Sequence, residues 1–474
     1  MGSGTTNSRN SLNVLQLSSA DHDGGAERVA LDLHNELLSR GIYSTLVVGR
    51  KTGNSQSVKQ MQHEYYRTHW AQLLHRVAPD TAMASQSATA RVARALIYAL
   101  AEPGRALRRI RSLDDLDFPG SKHVLGMSDT LPDVLHLHYP SSGYFDFRAL
   151  GAISQHVPII YTFHGMWPVT GHCAHSLDCD RWKTRCVNCS HLDYPPTLHS
   201  DNAHRNWLWK YQVWSGARIN VVVPSRWMAD RVNQSPMAGD FASVTVLPNG
   251  VNTKIFAPAD KQKVRDELGL PSDAFVVLTV TALDKNPYKD SRTLRSVMEG
   301  FAELNDGLAQ VVFIQIGGTL TLHEQCGQVI VIRTPYIQDQ VELARYYQAS
   351  DVLFHPAMAE SFGLVIVEAQ ACGLPVVVAD AGATPETLQS GSTGFLFPRE
   401  DVEVSLAQLC ALRSNISQRS IMGQQATKWA NQNFTLNHMT NRYIDLYRLC
   451  VSSFRSTLPA SADQNDDKHH YADC

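Results

Sequence analysis

The chain has 474 residues, of which 43% are hydrophobic and 18% are charged, and its formal net charge is −3. This length exceeds what one hydrophobic core usually serves, and the small net charge argues against a general nucleic-acid binder. No run approaches the roughly 18 apolar residues of a membrane span, and residues 1–11 are polar and lack a secretory signal, so a cytoplasmic protein of two domains is predicted.

The first predicted unit is a strand, a glycine turn and a helix. Residues 12–18 are an apolar strand, which leads through Gly24 and Gly25 into a helix over residues 26–39 with apolar side chains at helical spacing. Glycine permits close approach of the backbone, and the start of a helix attracts anions. The unit predicts contact with a phosphate, although a double glycine before a helix is by itself more often a simple turn.

Strands and helices continue to alternate along the chain. Further strands are expected at residues 44–48, 134–138, 159–163, 220–223 and 244–247, and a second series at residues 275–280, 311–316, 329–332, 351–354 and 375–379. Such alternation is typical of parallel, doubly wound sheets. The two series predict two α/β domains that meet near residues 250–270.

Residues 60–122 interrupt this alternation with arginine-rich helices, expected over residues 68–77 and 91–111. The basic residues among their apolar side chains are Arg76, Arg91, Arg94, Arg105, Arg108, Arg109 and Arg111. Such a surface is suited to anionic lipid on the inner face of the cytoplasmic membrane. It is equally typical of a solvated excursion packed on its domain, and both interpretations stay open at this point.

Two histidines follow predicted strands of the first series. His138 ends the strand at 134–138, and His164 follows the strand at 159–163. Because α/β sheets bind ligands outside the carboxyl ends of their strands, both side chains are expected to face a cleft. A hydrogen-bonded structural role is the commoner one for a histidine and stays open for both.

A loop over residues 171–190 contains a cluster of cysteines, namely Cys173, Cys179, Cys186 and Cys189. In a reducing compartment, clustered thiols favour a metal over disulfides, and thiolates suit tetrahedral zinc. His172 or His175 are alternative ligands. The spacing is not that of a common zinc finger, so a loop of free or redox-paired thiols stays open beside the predicted structural zinc.

The most specific pattern consists of two glutamates with seven residues between them, Glu360 and Glu368. A predicted strand leads into a turn that contains Glu360, and a helix from about residue 362 to Gly373 places Glu368 about two turns further on. Backbone N–H groups in the turn suit an anion and the carboxylates suit sugar hydroxyls, so a sugar nucleotide is the predicted ligand. The expected contacts are Glu360, Ser361, Phe362, Gly363, Leu364 and Glu368.

The run from His355 to Pro375 resembles the E-x7-E element of a large family of retaining glycosyltransferases with the GT-B fold, called group 1 or family 4. The match continues through residues 375–380, 382–386 and 391–394, and it spans roughly residues 12–450. The cysteine-rich loop resembles the subgroup that acts in bacterial exopolysaccharide and colanic-acid-like capsule assembly. The resemblance implies two Rossmann-like, doubly wound domains that face each other across a cleft.

The same resemblance implies the limits of the domains. The N-terminal acceptor domain is expected over residues 12–255 and includes the helical insertion 60–122 and the loop 171–190. The nucleotide-sugar donor domain follows over residues 256–435. A cross-over helix over residues 436–456 and a disordered tail over residues 457–474 end the chain. Residues 246–256 resemble the hinge of the family and are expected to join the two domains.

The resemblance also implies a reaction. A hexose moves from a nucleotide sugar to a bacterial polysaccharide or oligosaccharide acceptor, expected to be lipid-linked, with retention of configuration. Neither a carboxylate nucleophile nor an obligatory catalytic metal is implied. The residues assigned in this way are Gly24 and Gly25 beside the diphosphate, His164 and Glu360 at the donor sugar, Glu368 at the ribose, and His138 and Trp167 on the acceptor side.

Negative charge grows on the diphosphate as the glycosidic bond breaks, so a cation must meet it. Relatives use an Arg and a following Lys after the first strand of the second domain. Ala282 stands where the family has the Arg, and Lys289 matches the Lys. Lys289 is therefore the expected cation, with Lys285 as the reserve.

Two other classes of protein stay open. One is a sugar-nucleotide 2-epimerase of the same fold, which the hinge and the E-x7-E element oppose. The other is a non-catalytic sugar-nucleotide or zinc-binding scaffold, which Ala282 and the clustered cysteines suggest. Release of nucleoside diphosphate only in the presence of an acceptor would separate a transferase from both.

Overall fold

The computed structural model describes residues 12–22, 24–79, 87–138, 143–280, 286–304, 307–318 and 320–457. Within these residues the chain forms two seven-stranded sheets, each accompanied by helices. The expected pair of doubly wound sheets is therefore confirmed. Beyond Thr457, the tail that was expected to be disordered lies outside the described residues.

The first sheet is built from the first half of the chain. Its described strands are β1 (Asn13–Ala20), β2 (Tyr43–Arg50), β3 (Val58–Gln60), β4 (Val134–Leu137), β5 (Ile159–Thr162), β6 (Ile219–Val223) and β7 (Ser243–Val246). Their order across the sheet is β3-β2-β1-β4-β5-β6-β7, and every neighbouring pair is parallel. Parallel strands are covered on both faces, which explains their nearly continuous apolar sequences.

The helices of this half connect the strands and form one helical excursion. They are α1 (Gly25–Ser39), α2 (His69–Val77), α3 (Ala88–Ala101), α4 (Pro103–Ile110), α5 (Leu150–Ile153), α6 (Ala203–Ser215) and α7 (Arg226–Gln234). The excursion between β3 and β4 contains α2, α3 and α4. The described part of this excursion has three helices where two were expected, because Pro103 starts a new helix at its first position.

The second sheet has the same architecture with one antiparallel edge. Its described strands are β8 (Phe275–Val280), β9 (Val311–Gly318), β10 (Leu322–Cys326), β11 (Val329–Pro335), β12 (Val352–His355), β13 (Val376–Ala379) and β14 (Gly394–Phe397). The order is β10-β11-β9-β8-β12-β13-β14. The hairpin β10-β11 is antiparallel, and the other neighbouring pairs are parallel.

The second half contributes the remaining helices, and the last of them returns to the first sheet. They are α8 (Lys261–Leu268), α9 (Ser291–Glu303), α10 (Gln340–Ala349), α11 (Leu364–Ala371), α12 (Val402–Ser414), α13 (Ile416–Asn433) and α14 (Leu436–Thr457). In α14, Tyr443 and Tyr447 pack in one apolar cluster with Val14 and Val134 of the first sheet. The Tyr447 hydroxyl also lies 2.7 Å from Nδ1 of His136. The crossing expected of this helix is present.

Each sheet has a point where the direction of winding reverses. In the first sheet this point lies between β1 and β4, and in the second it lies between β8 and β12. Loops that follow such strands diverge and leave a crevice in which α/β proteins bind ligands. The loops that begin α1 and α11 follow β1 and β12, so both start at such a crevice.

Candidate active site

A cleft with a volume of about 520 Å³ lies between loops of the two halves. Its walls include Gly25 after β1, His164 after β5, Lys289 after β8 and Glu360 after β12. All four loops follow the carboxyl ends of parallel strands, as the binding sites of α/β sheets do. The structure therefore brings four of the expected site residues to one cavity.

The first turns of α1 and α11 approach each other at this cleft. Gly24 precedes α1 without a side-chain cap, and Gly363 precedes α11 with a φ of 97°, a conformation that favours glycine. A Cβ atom on Gly25 would lie 3.3 Å from Cδ1 of Leu364, so the two helix ends are close. The N–H groups of a first helical turn have no partner within the helix. The space beside these two turns therefore suits an anion.

Glu360 is the centre of a buried charge network. Its Oε1 accepts hydrogen bonds from the Lys289 ammonium and from Nε2 of His355, the latter at 3.0 Å. Burial alone would raise the pKa of Glu360, but Lys289 and His355 hold that pKa well below its ordinary value. Glu360 is thus an ionised acceptor in the cleft wall. His355 was not expected at the site, although it stands at the end of β12 where such a residue would lie.

Lys289 is the only lysine or arginine among the described residues that line the cleft. It was expected to meet a diphosphate, and the structure shows it bound to Glu360 instead. An ammonium has three donors, so Lys289 can hold Glu360 and still donate to a phosphate oxygen. Ala282 and the reserve cation Lys285 lie outside the described residues.

The loop that contains Glu360 rests on the segment that follows β13. Gly382 has a φ of 69°, and a Cβ atom there would lie 2.3 Å from the backbone oxygen of Glu360. Ala383 donates its N–H to that same oxygen at 2.9 Å. Glu386, three residues further on, accepts bonds from the first N–H groups of α7 at Arg226 and Trp227. The 382–386 motif therefore shapes the turn of Glu360 and joins the two halves.

Glu368 lies behind the cleft, where α1 meets α11. It is only 1% exposed and accepts bonds from Arg28 Nη1 at 2.6 Å and from the Tyr347 hydroxyl at 2.8 Å. Because α11 begins at Leu364, Glu368 lies about one turn into the helix and not two as expected. Asp32 lies near the pair of Arg28 and Glu368, and burial raises the pKa of Asp32 to about 6. The expected ribose ligand is therefore part of a polar contact between the two halves.

His164 and His138 form a hydrogen-bonded pair. Nδ1 of His138 lies 3.2 Å from Nε2 of His164, and Nε2 of His138 lies 3.0 Å from Oε1 of Gln16. Since the amide oxygen only accepts, His138 is protonated on Nε2 and receives the Nε2–H of His164 on Nδ1. Burial lowers the pKa of His164 to about 4, so the ring is neutral. Both ring nitrogens of His138 are thus used inside the protein, whereas His164 lines the cleft.

Trp167 packs in the core of the N-terminal half. The indole is 1% exposed, contacts Phe147, and lies 4.1 Å below the ammonium of the fully buried Lys210. An acceptor contact through Trp167, as expected from the sequence, would require this core to open.

The cysteine-rich loop places its thiols near one another without a complete set of metal ligands. Cys186 Sγ accepts the N–H of Gly171 at 3.1 Å, and Cys189 Sγ lies 3.5 Å from Nε2 of His172. Among the described residues, no group of three or more His, Cys, Asp or Glu side chains is arranged to hold a metal ion. Burial raises the pKa of Cys173 to about 12, so this thiol is protonated in the metal-free protein. Structural zinc stays a prediction, which elemental analysis of freshly purified, reduced protein would test.

Comparison with known proteins identifies this architecture. Residues 23–255 match the model of the Glycosyltransferase Family 4 domain, and residues 260–429 match that of Glycosyl transferases group 1. The putative colanic acid biosynthesis glycosyl transferase WcaC of Escherichia coli K12 is 25% identical over 92% of this chain and 100% of its own. A D-inositol 3-phosphate glycosyltransferase of Saccharomonospora viridis is 27% identical over 69% of this chain and 72% of its own.

Solved structures show the same fold. Sucrose-phosphate synthase from Thermosynechococcus elongatus superposes with a TM-score of 0.62 at 17% identity, over 93% of this chain and 100% of its own. HepE of Anabaena in complex with UDP-glucose superposes with a TM-score of 0.58 at 17% identity, over 94% of this chain and 100% of its own. The paired sheets, the cleft and the domain matches together define a glycosyltransferase of the GT-B type. The chain belongs to the glycosyltransferases that join a family 4 domain to a group 1 domain.

Proposed function

We propose that this protein transfers a hexose from a nucleotide sugar to a lipid-linked bacterial polysaccharide or oligosaccharide with retention of configuration. One observation supports this proposal above the others. Two helix N-termini, at Gly25 and Leu364, approach each other beside the ionised carboxylate of Glu360 in a single cleft. A site for an anion beside a carboxylate that accepts hydrogen bonds from hydroxyl groups matches the diphosphate and the sugar of a nucleotide sugar.

The diphosphate lies beside the first turns of α1 and α11, where the helix ends and Lys289 meet its charge. As the glycosidic bond breaks, negative charge grows on the leaving phosphate oxygen, and preorganised donors stabilise it there. The hydroxyl group of the acceptor glycan attacks the anomeric carbon from the face that the diphosphate leaves. It passes its proton to the leaving phosphate oxygen. Glu360 holds sugar hydroxyls with its Oε2, since Lys289 and His355 bind its Oε1, and the same-face reaction needs no carboxylate nucleophile.

Glu368 binds the ribose of the donor. Arg28 occupies its Oε1 and Tyr347 its Oε2, and a carboxylate oxygen can accept more than one hydrogen bond. Both oxygens therefore retain capacity for ribose hydroxyls. His164 faces the donor sugar with its Nδ1, which the pairing with His138 leaves unprotonated.

The relatives support the class of donor and acceptor. HepE of Anabaena has been solved with UDP and with UDP-glucose, and the WcaC relative is named for colanic acid biosynthesis. A nucleoside diphosphate hexose and a growing exopolysaccharide are the corresponding substrates here. No catalytic metal is needed, because Lys289 and the helix ends provide positive potential at the diphosphate.

The reaction is tested with a panel of UDP-hexoses and GDP-hexoses and lipid-linked glycans extracted from the producing bacterium. We expect release of nucleoside diphosphate that depends on the glycan. Conversion of the donor into an epimeric nucleotide sugar in the absence of any glycan would indicate a 2-epimerase. Binding of the donor without release would indicate a scaffold.

A lipid-linked acceptor requires contact with a membrane, and the helical excursion offers a surface for it. Eight large apolar side chains on α2, α3 and α4 are between 48% and 74% exposed, namely Trp70, Leu73, Val77, Val92, Leu96, Leu100, Leu107 and Ile110. The three helices contain arginines and no Asp or Glu, although Arg105 and Arg109 of α4 form ion pairs with Asp115. Glu102, between α3 and α4, is neutralised by Arg67 and Arg105. Among the described residues, no helix is both long and apolar enough to cross a membrane.

We predict that this surface binds anionic vesicles of phosphatidylcholine and phosphatidylglycerol and not neutral vesicles of phosphatidylcholine. The double variant Leu96→Ser with Ile110→Ser should bind anionic vesicles at least about tenfold more weakly, because burying one such side chain contributes roughly 1.5–3 kcal/mol. Sedimentation with vesicles measures the bound fraction. Ile416→Ser with Ile421→Ser is the matched control, since these α13 side chains are 69% and 57% exposed. Equal losses in both double variants, or no binding by the unmodified chain, would contradict the assignment.

A further inference from the structure

The cysteine-rich loop has a second feature that the thiols do not explain. His175 lies between Cys173 and Cys179 in the chain and was expected, if anything, as a metal ligand. In the structure His175 is among the residues that line the cleft, together with Lys289 and Glu360. The loop therefore brings a titratable side chain to the reaction site.

His175 is held rigidly by its neighbours. Its ring stacks on Trp227 with centroids 4.9 Å apart and an angle of 8° between the planes. The N–H of Leu177 donates to Nδ1 at 2.9 Å, and the backbone N–H of His175 donates to the Tyr288 hydroxyl at 3.3 Å. Trp227 belongs to the N-terminal half and Tyr288 to the C-terminal half, so both halves position the ring.

These contacts determine which nitrogen bears the proton. Nδ1 accepts from Leu177, so the neutral ring is protonated on Nε2. Because a doubly protonated ring could not accept this bond, the geometry corresponds to the neutral ring. Nε2 is shielded from solvent and has no partner among the described residues. A buried donor without an acceptor is unfavourable, and in a native protein it calls for an explanation.

We propose that His175 binds the sugar of the nucleotide sugar, with its Nε2–H donating to a hydroxyl oxygen. This inference rests on the proposed function. A hydroxyl can accept from His175 and donate to Glu360, since both residues line the same cleft. A neutral N–H suits a neutral hydroxyl, whereas Lys289 and the helix ends suit the diphosphate. The loop thereby contributes to the choice of sugar.

Two variants of His175 separate binding from structure. Asn at position 175 can still accept from Leu177 but has no donor at the Nε2 position, whereas Gln places an amide N–H near that position. The probes are the UDP-hexose or GDP-hexose that the panel selects and the matching UDP or GDP. Calorimetry gives both affinities, and thermal unfolding reports on the fold.

For His175→Asn we expect affinity for the nucleotide hexose to fall about tenfold, as for loss of one hydrogen bond to substrate, with affinity for the nucleoside diphosphate unchanged. His175→Gln should retain most of the nucleotide-hexose affinity. His191→Asn is the matched control, since His191 also stacks on an aromatic ring in the following loop and does not line the cleft. Unchanged sugar affinity in His175→Asn, or equal loss for both probes, would overturn the inference. Absence of binding by the unmodified protein would instead refute the proposed function.

Discussion

Replacing Glu360 by Gln is expected to lower kcat about a hundredfold while the protein still binds nucleoside diphosphate. Glu360 receives charge-assisted bonds from Lys289 and His355 and, in the proposed complex, bonds from sugar hydroxyls. Each charge-assisted bond contributes roughly 1.5–3 kcal/mol, so losing one or two gives an effect of this size. Turnover with the full donor and calorimetry with the free nucleotide measure the two quantities.

Glu368→Gln is the comparison for this experiment. Glu368 is the proposed ribose ligand, so its loss should weaken binding of the nucleoside diphosphate itself. Because it also bonds Arg28 and Tyr347, thermal unfolding is measured beside the affinity. If neither substitution changed either quantity, the two glutamates would have no part in the site. If Glu360→Gln mainly weakened nucleotide binding, the assignment of sugar and ribose to the two residues would be reversed.

The second large effect is expected for Lys289→Ala. Lys289 is the only lysine or arginine among the described residues of the cleft wall, and it also neutralises Glu360. Removing it leaves a buried carboxylate without its cation and the leaving diphosphate with only the helix ends as donors, so turnover should fall by about two orders of magnitude. Stopped assays of nucleoside diphosphate release measure the rate. Lys254→Ala, at an exposed lysine, is the control.

A different outcome for Lys289→Ala would locate the cation elsewhere. Turnover close to that of the unmodified enzyme would transfer the role to Lys285. Unfolding of the variant at the assay temperature would indicate that Lys289 mainly stabilises the fold through Glu360, whereas a lower melting temperature alone follows from the unpaired carboxylate. The proposed mechanism requires that the Lys289→Ala variant be folded and turn over slowly.

The strands that the sequence predicted well are those buried on both faces. The run over residues 275–280 coincides with β8, because a parallel strand at the centre of a sheet is apolar throughout. The strands that were not predicted are short or lie at an edge. β3 has three residues, and β10 has the polar sequence Leu-His-Glu-Gln-Cys. Edge strands need no apolar run, so a hydrophobic pattern does not reveal them.

The site was predictable as far as local chain direction decides it. Gly25, His164 and Glu360 were expected at the cleft because each follows the carboxyl end of a strand. Pairings between distant parts of the chain were not predictable. Arg28 and Glu368 are 340 residues apart and meet only because α1 and α11 come together at the cleft. A single sequence gives no signal for such a contact.

Aromatic and histidine residues near strand ends were assigned less well. Trp167 follows β5 closely, as a cleft residue would, but its large apolar surface is buried in the core. His175 lies among cysteines, which suggested a metal, whereas its ring points to the cleft. Both side chains have a residue type compatible with either role. Packing against Lys210 holds the indole of Trp167 in the core, and stacking on Trp227 holds the ring of His175.

The configuration of the newly formed glycosidic bond tests the central claim most directly. The unmodified enzyme is supplied with the nucleotide hexose selected by the panel and with its glycan acceptor, and the anomeric signal of the product is recorded by NMR. We predict one new glycosidic bond for each nucleoside diphosphate released, with the anomeric configuration of the donor preserved. An inverted anomeric centre would contradict the same-face mechanism, and nucleoside diphosphate release without a new glycosidic bond would contradict the assignment as a glycan-forming transferase.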